Sequence, residues 1–229
     1  MNRVDYIARR DRIWLPASTP MAQFLQVHPT HPQARLIRLA ANALRDHQVI
    51  AYPTDSSYAL GCGLDDAHAV RRLRALRGLD EHHHLTLVCR DLADVGRFAR
   101  LDNWRFRIVR QGTPGPFTFL LPATREVPRR LQHPRRSTVG VRVPDHEVVR
   151  ALLAELGGPI LSSTLIFPGD AEPVSDAGTL RDRARGIDLI LDAGAIAPTP
   201  TTVIDLAEAP ATLVRQGGGD PAKLGLAFE

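Results

Sequence analysis

The chain has 229 residues, of which 44% are hydrophobic and 24% are charged, as is ordinary for a globular protein with a sizeable core. No segment approaches the roughly 18 uninterrupted apolar residues of a membrane helix, and the N-terminus lacks the apolar stretch of a secretory signal, so we expect a cytoplasmic protein without a membrane partner. The formal net charge is +4, which favours a polyanionic partner such as a nucleotide or RNA.

The N-terminal part of the chain begins without a recognisable pattern. Residues 1–20 show no amphipathic periodicity, and we interpret them as a flexible extension ahead of a domain that spans residues 21–229. Thr30 and Gln33 then form a capping-box pattern before an apolar stripe, which predicts a helix. This helix leads into a predicted strand at 49–53.

The following elements alternate between helices and strands. Asp66 is a typical N-cap, and we predict a helix that runs from it through Arg77 and ends at Gly78. The remaining predicted elements are strands at 85–89, 117–121, 138–144, 159–163, 188–192, 201–206 and 211–215, and helices at 91–99, 103–111 and 145–156. No linker divides them, so the pattern predicts one mixed α/β domain of the α+β type.

The two cysteines are the simplest of the reactive residues to interpret. Cys62 and Cys89 each end an apolar run, which favours buried thiols over a disulfide or a four-ligand metal site. We therefore assign no metal ligands to the protein.

Hydroxyl side chains collect at or near the ends of the predicted strands. Ligands gather at strand ends in α/β sheets, so these residues are candidates for a binding site. Any single one of them is more commonly a cap or turn residue, and that alternative stays open. The group consists of Thr54, Ser56, Ser57, Ser162, Ser163, Thr164, Thr201 and Thr202. Glycine-rich phosphate loops of the dinucleotide and Walker types do not occur in the sequence.

Eight segments occur in order between residues 52 and 219. They read YPTDSSYALGC, LRGLDEHHHLTLVC, TPGPFTFLLPA, TVGVRVPDH, PILSSTLIFPG, DLILDAG, TTVIDL and LVRQGG. Together they resemble the YrdC family, and within it the YciO branch. The resemblance implies a large twisted mixed sheet flanked by helices, whose concave basic face holds a nucleotide and has been linked to RNA binding.

The same resemblance implies an activity. Enzymes of this family join L-threonine, bicarbonate and ATP, with Mg²⁺, into L-threonylcarbamoyl-AMP for the N6-threonylcarbamoyladenosine modification of tRNA. ATP is then a substrate, and no tightly bound cofactor is expected. The partners implied are ATP, L-threonine, bicarbonate and RNA, either tRNA or double-stranded RNA.

The resemblance also implies which residues form the site. Thr54 and Asp55 would bind threonine while Tyr58 closes the pocket wall, and a half-buried core ring is an equal alternative for Tyr58. Arg77 and Arg142 are implied as catalytic. The residues implied to bind the nucleotide are Arg77, Thr118, Arg142, Ser162, Thr164, Thr202 and Arg215.

Three of these arginines can also be judged from the residues around them. Arg77 falls inside the apolar stripe of its predicted helix, so its charge needs a partner, or it extends to solvent at the helix C-terminus. Arg142 stands on the strand face opposite three valines and beside Gly140, which favours contact with a ligand. Arg215 is a ligand-binding residue or an ordinary edge residue.

Two departures from the family pattern bear on activity. Where the family has a Lys-x-Arg pair this chain reads Arg77-Gly78-Leu79, and where the family has Ser-x-Asn it reads Thr164-Leu165-Ile166. Each lost polar contact is worth about 1–3 kcal/mol. We therefore expect weakened threonylcarbamoyl-AMP synthase activity or, alternatively, a module that binds RNA or a mononucleotide without synthase activity.

Two clusters of basic residues remain. Consecutive histidines are poorly spaced for joint metal coordination, so His82, His83 and His84 predict a solvated loop. A second cluster is interpreted as a solvated face or an RNA phosphate contact, and consists of Arg129, Arg130, Arg135 and Arg136.

Overall fold

The protein is described by a computed structural model that covers residues 21–80 and 83–228. The predicted extension at 1–20 lies outside the described residues. The strands are β1 (Gln23–Gln26), β2 (Ile50–Pro53), β3 (Tyr58–Cys62), β4 (Thr86–Val88), β5 (Phe117–Pro122), β6 (Thr138–Arg142), β7 (Ile160–Thr164), β8 (Leu189–Asp192), β9 (Thr202–Asp205) and β10 (Thr212–Arg215). The helices are α1 (Ala34–Arg45), α2 (Ala67–Arg77), α3 (Leu92–Phe98), α4 (Asn103–Gln111) and α5 (Glu147–Leu156).

All ten strands join one sheet in the order β1-β8-β2-β3-β7-β4-β6-β5-β9-β10. Four neighbouring pairs are parallel and five are antiparallel, because the chain combines hairpins with longer crossovers. The predicted single α/β domain with a mixed sheet is confirmed.

Local sequence signals account well for helix α2. The Asp66 side chain accepts a hydrogen bond from His68 N at 2.8 Å, and Gly78 ends the helix in the left-handed conformation with a φ of 63°. The capping box predicted for α1 is wrong. Gln33 is the N-cap, and its side-chain oxygen accepts from His28 N at 3.1 Å instead of bonding within a box with Thr30.

The two faces of the sheet carry different helices. One hydrophobic core contains residues of α2, α3 and α4 together with Leu87, Val139 and Val141. The other core contains residues of α1 and α5 together with Tyr52 and Val88. Among the described residues, β5, β6, β9 and β10 contribute nothing to this second core. The helices α1 and α5 therefore cover one part of their face and leave the rest bare.

Both cysteines are buried free thiols, as predicted. Burial raises the pKa of Cys62 to about 12 and also raises the pKa of Cys89, so both thiols stay protonated at neutral pH. Within the residues that the structure describes, no helix has the length and apolar character needed to cross a membrane.

Candidate functional site

A cavity of about 260 Å³ lies on the part of the sheet that α1 and α5 leave uncovered. We call it the sheet cleft. Two arginines, Arg142 and Arg215, and two histidines, His83 and His84, line it together with a group of hydroxyl residues. The hydroxyl residues are Thr54, Ser57, Thr86, Thr118, Ser162, Ser163, Thr164 and Thr201. This lining is rich in hydrogen-bond donors, which suits a polar or anionic ligand.

The strand register explains why residues distant in sequence meet here. Thr86 lies opposite Ser162 of β7 on one side and Gly140 of β6 on the other. Gly140 in turn lies opposite Leu120 of β5. Side chains alternate between faces along a strand, so one residue of each strand at this level points to the cleft. Gly140 has no side chain, and a Cβ atom there would lie 3.3 Å from Thr86 Oγ1 and 3.6 Å from Leu120 Cδ2, so these two neighbours pack closely above the glycine.

Arg142 is a buried cation fixed in position by two partners. It is 8% exposed, and its two terminal nitrogens donate to Asp55 Oδ1 at 2.5 Å and to Ser56 Oγ at 2.9 Å. Burial lowers the pKa of Arg142, and the nearby Asp55 carboxylate opposes that effect. The buried atoms Arg142 Nε and Asp55 Oδ2 make no hydrogen bond to any described residue. The ion pair therefore contains one buried donor and one buried acceptor that no described residue satisfies.

Ser162 lies on the cleft floor and is held from below by Tyr52. The Tyr52 hydroxyl donates to Ser162 Oγ at 2.7 Å, and Ser162 Oγ donates its own proton to Leu60 O at 2.9 Å. Burial raises the pKa of Tyr52 to about 12, so the phenol is neutral and remains a donor. Ser162 can therefore only accept a hydrogen bond from a ligand. Tyr52 was missed from the sequence because its hydroxyl pairs with a residue more than 100 positions away.

Thr54 shapes the turn after β2. Its hydroxyl donates to Ser57 O at 2.7 Å and accepts from the backbone nitrogens of Ser56 and Ser57 at 3.2 and 3.3 Å. The turn places the Ser56 hydroxyl against Arg142. Thr54 lines the cleft, but its proton is already used within the turn. Its contact with threonine stays a prediction.

The far end of the cleft is formed by β5, β9 and β10. The hydroxyls of Thr118 and Thr201 lie 3.0 Å apart, and the Arg215 guanidinium donates to Thr201 O at 2.9 Å. Thr202, predicted to bind the nucleotide, faces elsewhere. Its hydroxyl donates to Gly219 O at 2.6 Å, and the side chain is completely buried. Of the two neighbours Thr201 and Thr202, it is Thr201 that lines the cleft.

Tyr58 does not close the pocket wall. The ring is completely buried in the core that contains α2, α3 and α4. Its hydroxyl donates to Gly194 O at 2.7 Å and accepts from Ala193 N at 3.1 Å. Tyr58 is therefore a core ring, which was the alternative prediction, and it is fully buried where that prediction had a half-buried ring.

Arg77 lies beside the cleft without lining it. Its Nε donates to Ser163 Oγ at 3.3 Å, and a terminal nitrogen donates to the carbonyl oxygen of Ile166. Burial lowers the pKa of this half-buried guanidinium. Leu79 is partly buried and packs against the core of α2, α3 and α4. The Arg77 guanidinium, which falls inside the apolar stripe of α2, therefore finds its acceptors at the end of β7 and just after it.

The histidine loop is part of the site, which the sequence interpretation missed. His83 and His84 line the cleft, and the His84 ring stacks on His133 with centroids 4.8 Å apart and planes inclined by 13°. Thr86 was also missed. A signal for it was present, because Thr86 is the polar residue between Leu85 and Leu87, whose side chains are buried in the opposite core.

The arginine cluster at 129–136 is partly committed to the protein itself. Arg136 pairs with Asp205 at 2.7 Å, and Arg130 donates to Leu64 O at 3.2 Å. Across residues 21–80 and 83–228, no group of three or more His, Cys, Asp or Glu side chains is arranged to hold a metal ion.

Comparison with known proteins gives close relatives over most of the chain. An uncharacterized protein from Haemophilus influenzae is 46% identical over 204 residues, which are 88% of this chain and 99% of the relative. The uncharacterized protein YciO of Escherichia coli is 45% identical over 201 residues, 87% of this chain and 98% of that protein. A threonylcarbamoyl-AMP synthase of Chromobacterium violaceum is 37% identical over 137 residues, 59% of this chain and 70% of the synthase.

Solved structures agree with these relatives. The crystal structure of E. coli YciO has a TM-score of 0.86 at 44% identity, and the match covers 89% of this chain and all of that one. Pyrococcus abyssi Sua5 complexed with L-threonine has a TM-score of 0.78 at 28% identity, with 85% of this chain and 57% of that chain covered. The Sua5/YciO/YrdC family model, described as telomere recombination, matches residues 42–217. The chain is therefore a member of the Sua5/YciO/YrdC family.

Proposed function

We propose that this protein binds ATP and L-threonine in the sheet cleft and converts them, with bicarbonate, into threonylcarbamoyl-AMP. The observation that carries the proposal is the cleft itself, in which two arginines and a set of hydroxyls converge on the bare part of the sheet. Relatives named threonylcarbamoyl-AMP synthase and a similar fold solved with L-threonine support this choice of substrates.

The proposed reaction needs no covalent bond to the protein. The amine of threonine takes up the carbon of bicarbonate and water leaves, which gives a carbamate. A carbamate oxygen then attacks the α-phosphorus of ATP, and the bond between this phosphorus and the bridging oxygen to the β-phosphate breaks. Pyrophosphate leaves, and Mg²⁺ would arrive with ATP as part of the substrate.

The protein's contribution is to bind and orient charged groups. Arg142 is held rigidly by Asp55 and Ser56, so it can stabilise negative charge without reorganising during the reaction. Its burial strengthens that interaction, since fewer water molecules screen the charge. Arg215 would act on the phosphates from the other end of the cleft, with Thr118 beside it. These positions make positioning and electrostatic stabilisation the main sources of rate enhancement.

A second function is favoured by the positions where polar contacts are lost. Leu79 and Ile166 offer no side-chain donor, and Arg77 already donates to Ser163 and to the Ile166 carbonyl. If ATP is not aligned for attack, the same cleft would serve a module that binds RNA or a mononucleotide without synthesis. The two functions differ in whether pyrophosphate is released.

One assay separates them. The protein is incubated with ATP, Mg²⁺ and bicarbonate, and with each of the common amino acids in turn, while pyrophosphate is measured. Release that requires both threonine and bicarbonate supports the synthase. No release with any amino acid, together with RNA binding that weakens steeply as salt rises, supports the binding module.

A further inference from the structure

One end of the sheet cleft carries basic groups that the proposed reaction does not yet use. His83 and His84 both line the cleft, and the proposed reaction assigns no role to either imidazole. Ser163 also lines the cleft and accepts from Arg77, so its hydroxyl proton can be donated to a ligand. The Thr164 side chain is exposed to the cleft. This end therefore presents several donors.

The groups facing the two histidines are almost all cationic. Arg74 and Arg77 of α2 face His83, and Asp80 is the one carboxylate near it among the described residues. Burial is the largest cause of the lowered pKa of His83, and the two arginines lower it further. Neither histidine is therefore expected to hold its proton at neutral pH in the absence of an anion.

The surroundings of His84 add charge from a second loop. His133 and Arg136 face its ring, as do His83 and Arg74. Burial and then these neighbours lower its pKa. Arg136 is itself paired with Asp205, and among the described residues no carboxylate contributes to the pKa shift of His84. An anion in the cleft would supply the missing negative charge.

His133 fixes the position of His84. The Nδ1 atom of His133 accepts from the backbone nitrogens of Arg135 and Arg136 at 3.2 and 3.1 Å, so that ring cannot turn freely. His84 stacks on it, and His84 rather than His133 lines the cleft. The stack therefore holds the His84 imidazole at the cleft wall, with the His133 imidazole packed against its other side.

Resting on the proposed function, we propose that His83 and His84 bind the polyphosphate chain of the nucleotide and take up protons as it binds. A polyphosphate fits because it has many acceptor oxygens, whereas this end of the cleft offers donors from two histidines, Ser163 and Thr164. Binding then strengthens as pH falls. Each proton taken up changes the affinity by up to about tenfold per pH unit.

Tripolyphosphate tests this site without the base or ribose. Its affinity for the full chain is measured by calorimetry between about pH 5.5 and pH 8.5 for the wild type and for the His83→Gln/His84→Gln variant. The ratio of the two affinities cancels the titration of the probe. We expect the variant to bind about tenfold or more weakly at the acidic end and nearly equally at the alkaline end.

Two further variants make the result specific. His84→Arg carries a permanent charge, so it should bind tightly with a flatter pH dependence. His68→Gln removes an exposed histidine of α2 that does not line the cleft and should match the wild type. If loss of the His84 stack unfolds the double variant, the exposed His83→Gln and the His84→Arg variants carry the test.

The outcomes separate this inference from the proposed function. An affinity ratio that is constant with pH, or a wild type that does not bind tripolyphosphate at acidic pH, overturns the histidine site. Proton-coupled binding without threonine-dependent pyrophosphate release leaves the histidine site intact and removes the synthase. Threonine-dependent pyrophosphate release, together with equal tripolyphosphate binding by the wild type and the double variant, supports the synthase and removes the histidine site.

Discussion

The Arg142 guanidinium and the Asp55 carboxylate form an ion pair at 2.5 Å, with side chains only 10% and 13% exposed. The pair joins the turn after β2 to the end of β6 and so connects two parts of the cleft wall. Removal of one member would leave a buried charge without its partner, which is costly in a low-dielectric environment.

Asp55→Asn should therefore destabilise the protein by about 3–5 kcal/mol, measured by urea unfolding. Asp170→Asn is the matched control, because Asp170 pairs with Arg183 on the surface and should change stability little. The Asp55→Asn/Arg142→Gln double variant should recover part of the loss. Equal effects of Asp55→Asn and Asp170→Asn would contradict a structural role for the pair.

Arg215→Ala should weaken ATP binding with almost no effect on the melting temperature. Arg215 is an exposed residue at the end of β10 that lines the cleft, and a hydrogen bond from a charged donor is worth about 1.5–3 kcal/mol. The expected loss of affinity is about tenfold or more. Arg110→Ala on α4 is the control. If both variants bind ATP equally, Arg215 is an edge residue without a binding role.

Gly61→Ala should disturb the cleft from beneath. A Cβ atom at position 61 would lie 2.6 Å from Ile160 Cγ2 and 2.8 Å from the Tyr52 ring. Overpacking of this kind costs about 1–3 kcal/mol, and it displaces the ring whose hydroxyl holds Ser162. Unfolding and ATP titrations should both show the change.

Gly63→Ala serves as the control for this variant. The nearest atom to a Cβ at position 63 is Leu44 O at 3.6 Å, an ordinary contact. A Gly61→Ala variant that is as stable as Gly63→Ala would show that Tyr52 can move without loss.

Acid should destabilise the fold partly through His146. Burial lowers the pKa of His146, although Asp55, Glu147 and Asp145 oppose the effect. The unfolded chain binds this proton near pH 6.5 and the folded chain only at lower pH, so stability falls as pH drops below about 6.5. In the folded chain, the unprotonated Nδ1 of His146 accepts the α5 cap bond from Val148 N at 3.2 Å.

His146→Asn retains a capping side chain and removes the titrating group. Its free energy of unfolding should therefore change less than that of the wild type between about pH 7.5 and pH 5. His31→Asn, at an exposed histidine before α1, should keep the wild-type dependence. An unchanged acid response in His146→Asn would assign the proton uptake to other groups.

The elements predicted from sequence were those with strong local signals. Helix α2 has an N-cap and a left-handed glycine, and β6 alternates between valines and other residues, so both are determined by neighbours in sequence. The strands β1 and β3 were not predicted. β1 has only four residues, and β3 is buried on both faces and therefore shows no alternation.

The site was predictable where strand alternation fixes the direction of a side chain. Arg142 and Thr118 point to the cleft because both of their neighbours along the chain belong to the opposite core, and Ser162 does so opposite its core neighbour Leu161. Thr202 and Tyr58 were placed wrongly, since their hydroxyls bond to backbone atoms of the distant loops at Gly219 and Gly194. Partners of that kind are set by tertiary structure and leave no local pattern.

Ala59 and Val88 belong to two environments at once, because each packs in the core of α1 and α5 and also lines the cleft. They mark a boundary across a single sheet face. On the cleft side of it, replacement of the half-buried Thr86 should alter ligand selectivity at a smaller cost in folding free energy than replacement of a core residue. Replacement of Val88 should change ligand selectivity and folding free energy together, so adaptation of the cleft to a new ligand is least constrained away from this boundary.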